Sequence, residues 1–175
     1  MPAITHDVEL IMQGVNPICW IASCAMAKGY VLRKSVGIGE FTEGLDPSTS
    51  CISNLGSSWS DCTDLMQSWG FQLYTVSGMS GGDMTSDALF TALGEGPIVL
   101  LHQCTGFPYG PQYAGNVYKP DDAHAVVLTA VDTDAGSAAF NNPWGDKDQS
   151  CNLADLIAKI NADQACGKTL AYYSG

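Results

Sequence analysis

Gln13, Cys19, His124 and Asn142 are the residues of this chain whose types and order suit nucleophilic attack on a carbonyl. Cys19 follows Pro17-Ile18 and opens the apolar segment Cys19-Trp20-Ile21-Ala22, which predicts a helix beginning at the thiol. Unpaired backbone N–H groups at a helix N-terminus carry partial positive charge and favour a thiolate there. Gln13, one short loop upstream, can curl its side-chain amide back toward the sulfur as a donor to the oxyanion of a tetrahedral intermediate. Further on, Asp122-Ala123-His124-Ala125-Val126-Val127-Leu128 sets a histidine at the mouth of an apolar run that reads as a buried strand. Phe140-Asn141-Asn142-Pro143-Trp144-Gly145 then offers two amide side chains beside a proline. Each feature also has a plain structural use. Cys19-Trp20 would serve as a buried apolar pair on a core helix, and Asn-Asn-Pro as a loop. His102, in Ile98-Val99-Leu100-Leu101-His102-Gln103-Cys104, competes with His124; its alternative is a strand-end histidine facing solvent or the core edge. His6 has no evident partner and is expected to be exposed.

The elements that must position these residues read as an α+β chain, helical in its first half and strand-rich in its second. A helix is expected over Cys19–Lys28, ended by Gly29, and a long loop over Gly37–Ser60. A helix over Cys62–Trp69 follows, with Asp61 as N-cap and Gly70 as stop. Phe71–Val76 reads as a strand, Met79–Asp83 as a glycine loop, and Asp87–Leu93 as a helix beginning after Ser86. From Gly96 the period changes to strands at Pro97–Gln103, His124–Val131, Ser137–Phe140 and Thr169–Tyr173, with a capped helix at Leu153–Asn161. Asp132-Thr133-Asp134-Ala135-Gly136 is a hairpin turn rather than a calcium loop, since Pro143 stands where a ligating glutamate would be needed. Thr105–Asp122, rich in Gly, Pro and Tyr, leads into His124 as either a solvated connection or a substrate-contacting rim with Tyr109, Tyr113 and Tyr118 at its surface. No linker or repeat divides residues 1–175, so one domain is expected.

Bulk properties narrow the function. A net charge of −11 with 7 Lys and Arg residues leaves no basic stripe for phosphate contacts, which excludes a nucleic-acid partner. No apolar run reaches the roughly 20 residues of a membrane span, and the N-terminal residues lack a basic region followed by an apolar core. A soluble chain without a classical signal peptide is expected. Seven cysteines are many for a cytosolic enzyme. With Cys19 set aside an even number remains, which favours disulfides and an oxidising destination. Cys51 to Cys62 and Cys151 to Cys166 are the shortest closures. Secretion by a dedicated machine and a cytoplasmic location both stay open. Zinc is a weaker use of these thiols, since the chain has no Cys-x-x-Cys and no His-x-x-x-His.

Gln13, five intervening residues, Cys19-Trp20, then His124, then Asn142-Pro143-Trp144-Gly145 resembles the signature of the papain-like cysteine peptidase superfamily. The resemblance implies a papain-like fold, helical half then antiparallel sheet, with a catalytic cleft between. It implies Cys19 as nucleophile, His124 as general base, Asn142 orienting His124, Trp144 covering that hydrogen bond, and Gln13 in the oxyanion hole. Only Asn142 keeps the Asn-x-Trp-Gly register, which makes Asn141 a turn residue. A Cys19 thiolate paired with imidazolium, titrating well below a free thiol, is part of the same expectation. Gly96-Pro97-Ile98-Val99 and the short chain are similar to compact bacterial members, including bacteriocin-leader-processing peptidases and effector proteases, in which the third residue is often Asp. The implied activity is hydrolysis of peptide amides through an acyl-enzyme, with no metal or organic cofactor. The implied partners are a protein or peptide substrate and an inhibitor or immunity protein. Other amide chemistry, such as peptidoglycan hydrolysis or deamidation, would use the same residues, and a catalytically silent binding domain is the remaining alternative.

Overall fold

The computed structural model describes residues 3–14, 18–43, 59–75, 83–119, 122–163 and 169–175. In chain order its elements are β1 (Ile4–Thr5), α1 (Cys19–Leu32), α2 (Gly39–Thr42), α3 (Trp59–Ser68), β2 (Phe71–Thr75), α4 (Ser86–Leu93), β3 (Ile98–Gln103), β4 (Ala123–Asp132), β5 (Ser137–Asn142), β6 (Asp146–Asn152), α5 (Leu153–Ala162) and β7 (Thr169–Tyr173), with a 3₁₀ turn at Pro111–Tyr113.

Strand β4, with His124 as its second residue, is apolar almost without interruption because it is covered on both faces. The antiparallel sheet runs β2-β7-β3-β4-β5-β6, and β1 pairs with β4 at Val131 and Ala130, just past Leu128, where β3 begins opposite it at Ile98. Side chains alternate along a strand. Val99, Leu101, Ala125, Val127 and Ala171 therefore pack with Trp20, Ile21 and Cys24 of α1, while Ile98, Leu100, Val126, Leu128 and Leu170 pack with Leu89 and Leu93 of α4 and Leu156 and Ile160 of α5. Trp69, after α3, stacks on Trp20 with centroids 5.2 Å apart. A helical region and a multi-stranded antiparallel sheet make this an α+β fold, as expected, although β1 and β2 bring strands from the first half into the sheet.

Several boundaries differ from the sequence reading for local reasons. Helix α1 runs past Gly29 to Leu32 and ends where Arg33 takes the left-handed conformation (φ 53°). Gly29 serves a close approach instead: a Cβ there would stand 2.9 Å from the Lys34 carbonyl oxygen. Helix α3 begins at Trp59 rather than Cys62, which removes Asp61 from the cap. Helix α4 is capped one residue earlier than expected, by Thr85, whose hydroxyl accepts from the Ala88 N–H at 3.2 Å. The short α2 lies within the expected Gly37–Ser60 loop, most of which falls outside the described residues, as do Val76 and nearly all of Met79–Asp83. The Asp132–Gly136 hairpin is present, with Asp132 Oδ1 accepting from the N–H groups of Asp134 and Ala135.

Cys19, Cys24, Cys104 and Cys151 carry thiols. The free Cys151 corrects its closure to Cys166, whereas the closure of Cys62 to Cys51 has an end outside the described residues. Among the described residues no helix is long and apolar enough to cross a membrane.

Candidate active site

The N-terminus of α1 meets the start of β4 at Cys19. Ile18 precedes the helix without a capping side chain, which leaves the first-turn N–H groups to other acceptors. The backbone N–H groups of Cys19 and Trp20 favour the anion of the Cys19 sulfur, and so does that of Ala125, the residue immediately after His124. The last of these brings the thiol to the start of β4, next in the chain to a histidine 105 positions away in sequence. Cys19 is 0% exposed. Burial of the anion outweighs the three donors and pushes the thiol up to about 12. The expected depression below a free thiol is therefore not a property of this conformation.

His124 Nε2–H donates to Asn142 Oδ1 at 2.8 Å, and the Trp144 backbone N–H donates to the same oxygen at 3.1 Å. This assigns the proton of the neutral ring to Nε2 and leaves Nδ1 as its basic nitrogen. The Trp144 indole lies flat on the imidazole, with centroids 3.9 Å apart and planes 18° apart. His124 is 2% and Asn142 0% exposed. Burial holds the imidazole down to about 4, against an opposing contribution from Asn142. Gln13 joins this region through its backbone N–H, which donates to the Pro143 carbonyl at 3.0 Å and sets the Gln13 segment against the turn between Asn142 and Trp144.

Asn141 and His6 have roles other than those expected, and His102 takes the inner of its two alternatives. Asn141 is no turn residue: it is buried at the end of β5, donating from Nδ2 to the Val8 carbonyl at 2.9 Å and accepting at Oδ1 from the Asp148 N–H at 2.8 Å. His6 is bonded at both ring nitrogens, to the Tyr30 hydroxyl at 2.9 Å and the Leu93 carbonyl at 2.8 Å. His102 does not face solvent. It sits directly opposite His124 in the β3–β4 register and is buried. Its Nδ1–H donates to the Gln103 carbonyl at 2.9 Å, its Nε2 accepts from the Tyr109 hydroxyl at 3.3 Å, and Phe107 stacks on its ring at 3.7 Å. Burial, with His124 nearby, keeps His102 well below the ordinary histidine range.

These burials set a pH window for stability. An unfolded histidine titrates near 6.5, and His124 near 4 when folded, so the unfolded chain takes up the proton first as pH falls. Stability is present above about pH 6.5 and is lost toward pH 4, by about 3 kcal/mol for this residue. His102 acts in the same direction. At the alkaline end Cys19 holds its proton in the folded state after an unfolded thiol has lost it, so stability also falls as pH rises above about 9. Urea unfolding of the native chain and of His124→Gln at pH 7.5 and 4.5 checks this. The acid-side loss should shrink in the variant, and an identical loss in both would refute the assignment.

Among the described residues no group of three or more His, Cys, Asp or Glu side chains could hold a metal ion. The family model described as papain-like cysteine protease AvrRpt2 matches residues 2–161. No curated protein matches the chain. A crystal structure described as that of a C39-like peptidase from Bacillus anthracis superposes with a TM-score of 0.65 at 16% identity, over 100% of this chain and 99% of that one. At that identity the likeness speaks to the fold alone, and the fold agrees with the family match. The chain belongs to the papain-like cysteine protease AvrRpt2 family and is a cysteine peptidase.

Proposed function

We propose that residues 1–175 act as one domain that hydrolyses peptide amides through an acyl-enzyme formed on Cys19. The observation that carries this reading is the bracket of Trp144 and Asn142 on His124, with the Cys19 sulfur at the backbone N–H of Ala125, the next residue along the strand. His124 Nδ1 takes the thiol proton as the sulfur attacks the substrate carbonyl carbon. The oxyanion is held by the Cys19 N–H and the Gln13 amide. As the C–N bond breaks, His124 returns its proton to the leaving amine, and a thioester remains. Water then attacks the thioester, giving its proton to His124, which passes it back to sulfur as the acid leaves. Asn142 keeps the imidazole in the required tautomer throughout, and the cleft expected between helical and sheet sides is where the peptide would lie.

The test is incubation with a denatured proteome and sequencing of new chain termini, with Cys19→Ala as control. Termini that appear only with the native chain support peptide cleavage, and an absence of such termini would overturn it. Gln13→Ala should fold normally and lose about 100- to 1,000-fold in kcat, because one oxyanion donor is missing in the transition state. Full activity of that variant would remove Gln13 from the mechanism.

A further inference from the structure

The buried state of the site raises the question of how a peptide reaches it. Cys19, His124 and Asn142 are 0%, 2% and 0% exposed, and a thiol without solvent exposure cannot meet a polypeptide carbonyl. Among the described residues, the ring contacts made on Trp144 by residues 105–119 come from three tyrosines: Tyr109 at 5.1 Å, Tyr113 at 5.1 Å and Tyr118 at 6.1 Å between centroids, the last nearly parallel. Tyr109 also reaches His124, at 6.2 Å. Apart from a single 3₁₀ turn, this segment has no helix or strand.

We propose that residues 105–119 form a cover that closes the active site and swings away to admit substrate, pinned by Tyr109 on His102 and latched by Tyr113 and Gln112 on Asp146. This rests on the peptidase reading above and adds the control of that site. The latch is specific: the Tyr113 hydroxyl donates to one Asp146 carboxylate oxygen at 2.5 Å, and Gln112 Nε2 donates to the other at 3.0 Å. The pin is the Tyr109 hydroxyl, which donates to His102 Nε2 and lies 3.8 Å from the Cys104 sulfur. Gly106 (φ 75°) and Gly115 (φ 90°) stand near the ends of the segment with no heavy atom where a Cβ would point, so the chain has room to pivot at both.

Closure also carries a cost that opening would relieve. Gln149 lies buried with neither amide oxygen nor nitrogen hydrogen-bonded. It packs against Gly110 of the cover so closely that a Cβ on Gly110 would collide with the amide ends of Gln149 and Gln112. Lifting the cover would hydrate that amide, so the closed state depends on its few polar fastenings. Closing the cover excludes water from Cys19 and His124, and this same burial holds the thiol and imidazole neutral. Access and ionisation of the nucleophile are thereby tied to one movement.

The experiment is the rate of Cys19 alkylation by iodoacetamide at pH 7.5, read by mass spectrometry of the Cys19 peptide, in the native chain, Tyr113→Phe and Asp146→Asn. Both variants should react at least about tenfold faster than the native chain, since each removes a latch bond without touching the thiol. Rates within twofold of native in folded variants would overturn the proposal. Hydrogen exchange on the native chain gives a second reading that needs no variant: amides of 105–119 should exchange far sooner than those of β4, and equal protection would overturn the cover. Faster alkylation without any peptide cleavage would sustain the cover and sink the peptidase mechanism. Cleavage with unchanged alkylation would do the reverse.

Discussion

Cys19→Ala is expected to lower peptide hydrolysis to background, a loss on the order of 10⁴-fold or more, because the acyl-enzyme has no other atom on which to form. Cys24→Ala is the matched control. Both thiols are fully buried on α1 in the same apolar cluster, five positions or about 1.4 turns apart, but backbone N–H groups of Trp20 and Ala125 favour the anion at Cys19 and not at Cys24. Burial alone accounts for most of its raised thiol pKa. Removing its sulfur leaves a small cavity and costs on the order of 1–2 kcal/mol of stability, with turnover retained by the chains that remain folded. Initial rates on one peptide substrate, with melting temperatures for each variant, separate the two outcomes. Retention of activity by Cys19→Ala, or its loss in a folded Cys24→Ala, would remove Cys19 as the nucleophile.

The same comparison shows which parts of the molecule could be read in advance. A strand buried on both faces must be apolar at successive positions, so β4 was visible in Ala125 to Val131 and its first polar residue, His124, stood out. Asn142 was separable from Asn141 only by register with Trp144, and nothing local distinguished a buried bracket between Val8 and Asp148 from a turn. Strand β6 escaped because its residues, Asp146 to Asn152, are almost all polar, as befits the last strand in the sheet order, where only one neighbour pairs. The cover was legible as a tyrosine-rich connection and no further. Its fastenings join Gln112 and Tyr113 to Asp146 across more than thirty positions, and contacts of that kind leave no periodicity. Burial around Cys19 was invisible for a related reason: helix position is a local property, whereas the burial that raises the thiol in this closed conformation is contributed by the packed structure around the site.

That burial makes His124 the residue with the second largest expected effect. Burial keeps the Cys19 thiol protonated in the closed site, so attack depends on passing that proton to an adjacent base. His124→Ala removes the acceptor and should cost on the order of 10³- to 10⁴-fold at pH 7. Its residual activity should then rise about tenfold per pH unit between pH 7 and 9.5, as hydroxide takes over deprotonation. Asn142→Ala should lose less, because the imidazole remains and Trp144 still stacks on it, although its tautomer is no longer fixed. Asn142→Asp sharpens the assignment. A carboxylate in place of the amide would favour the imidazolium and move the acid limb of kcat upward in pH relative to the native chain. Rates across pH 5 to 9.5 for the four chains decide the matter. A His124→Ala variant within tenfold of native at pH 7, or one whose residual rate ignores pH, would mean that another group takes the thiol proton, and His102, directly across the strand pair, would be the next residue to replace.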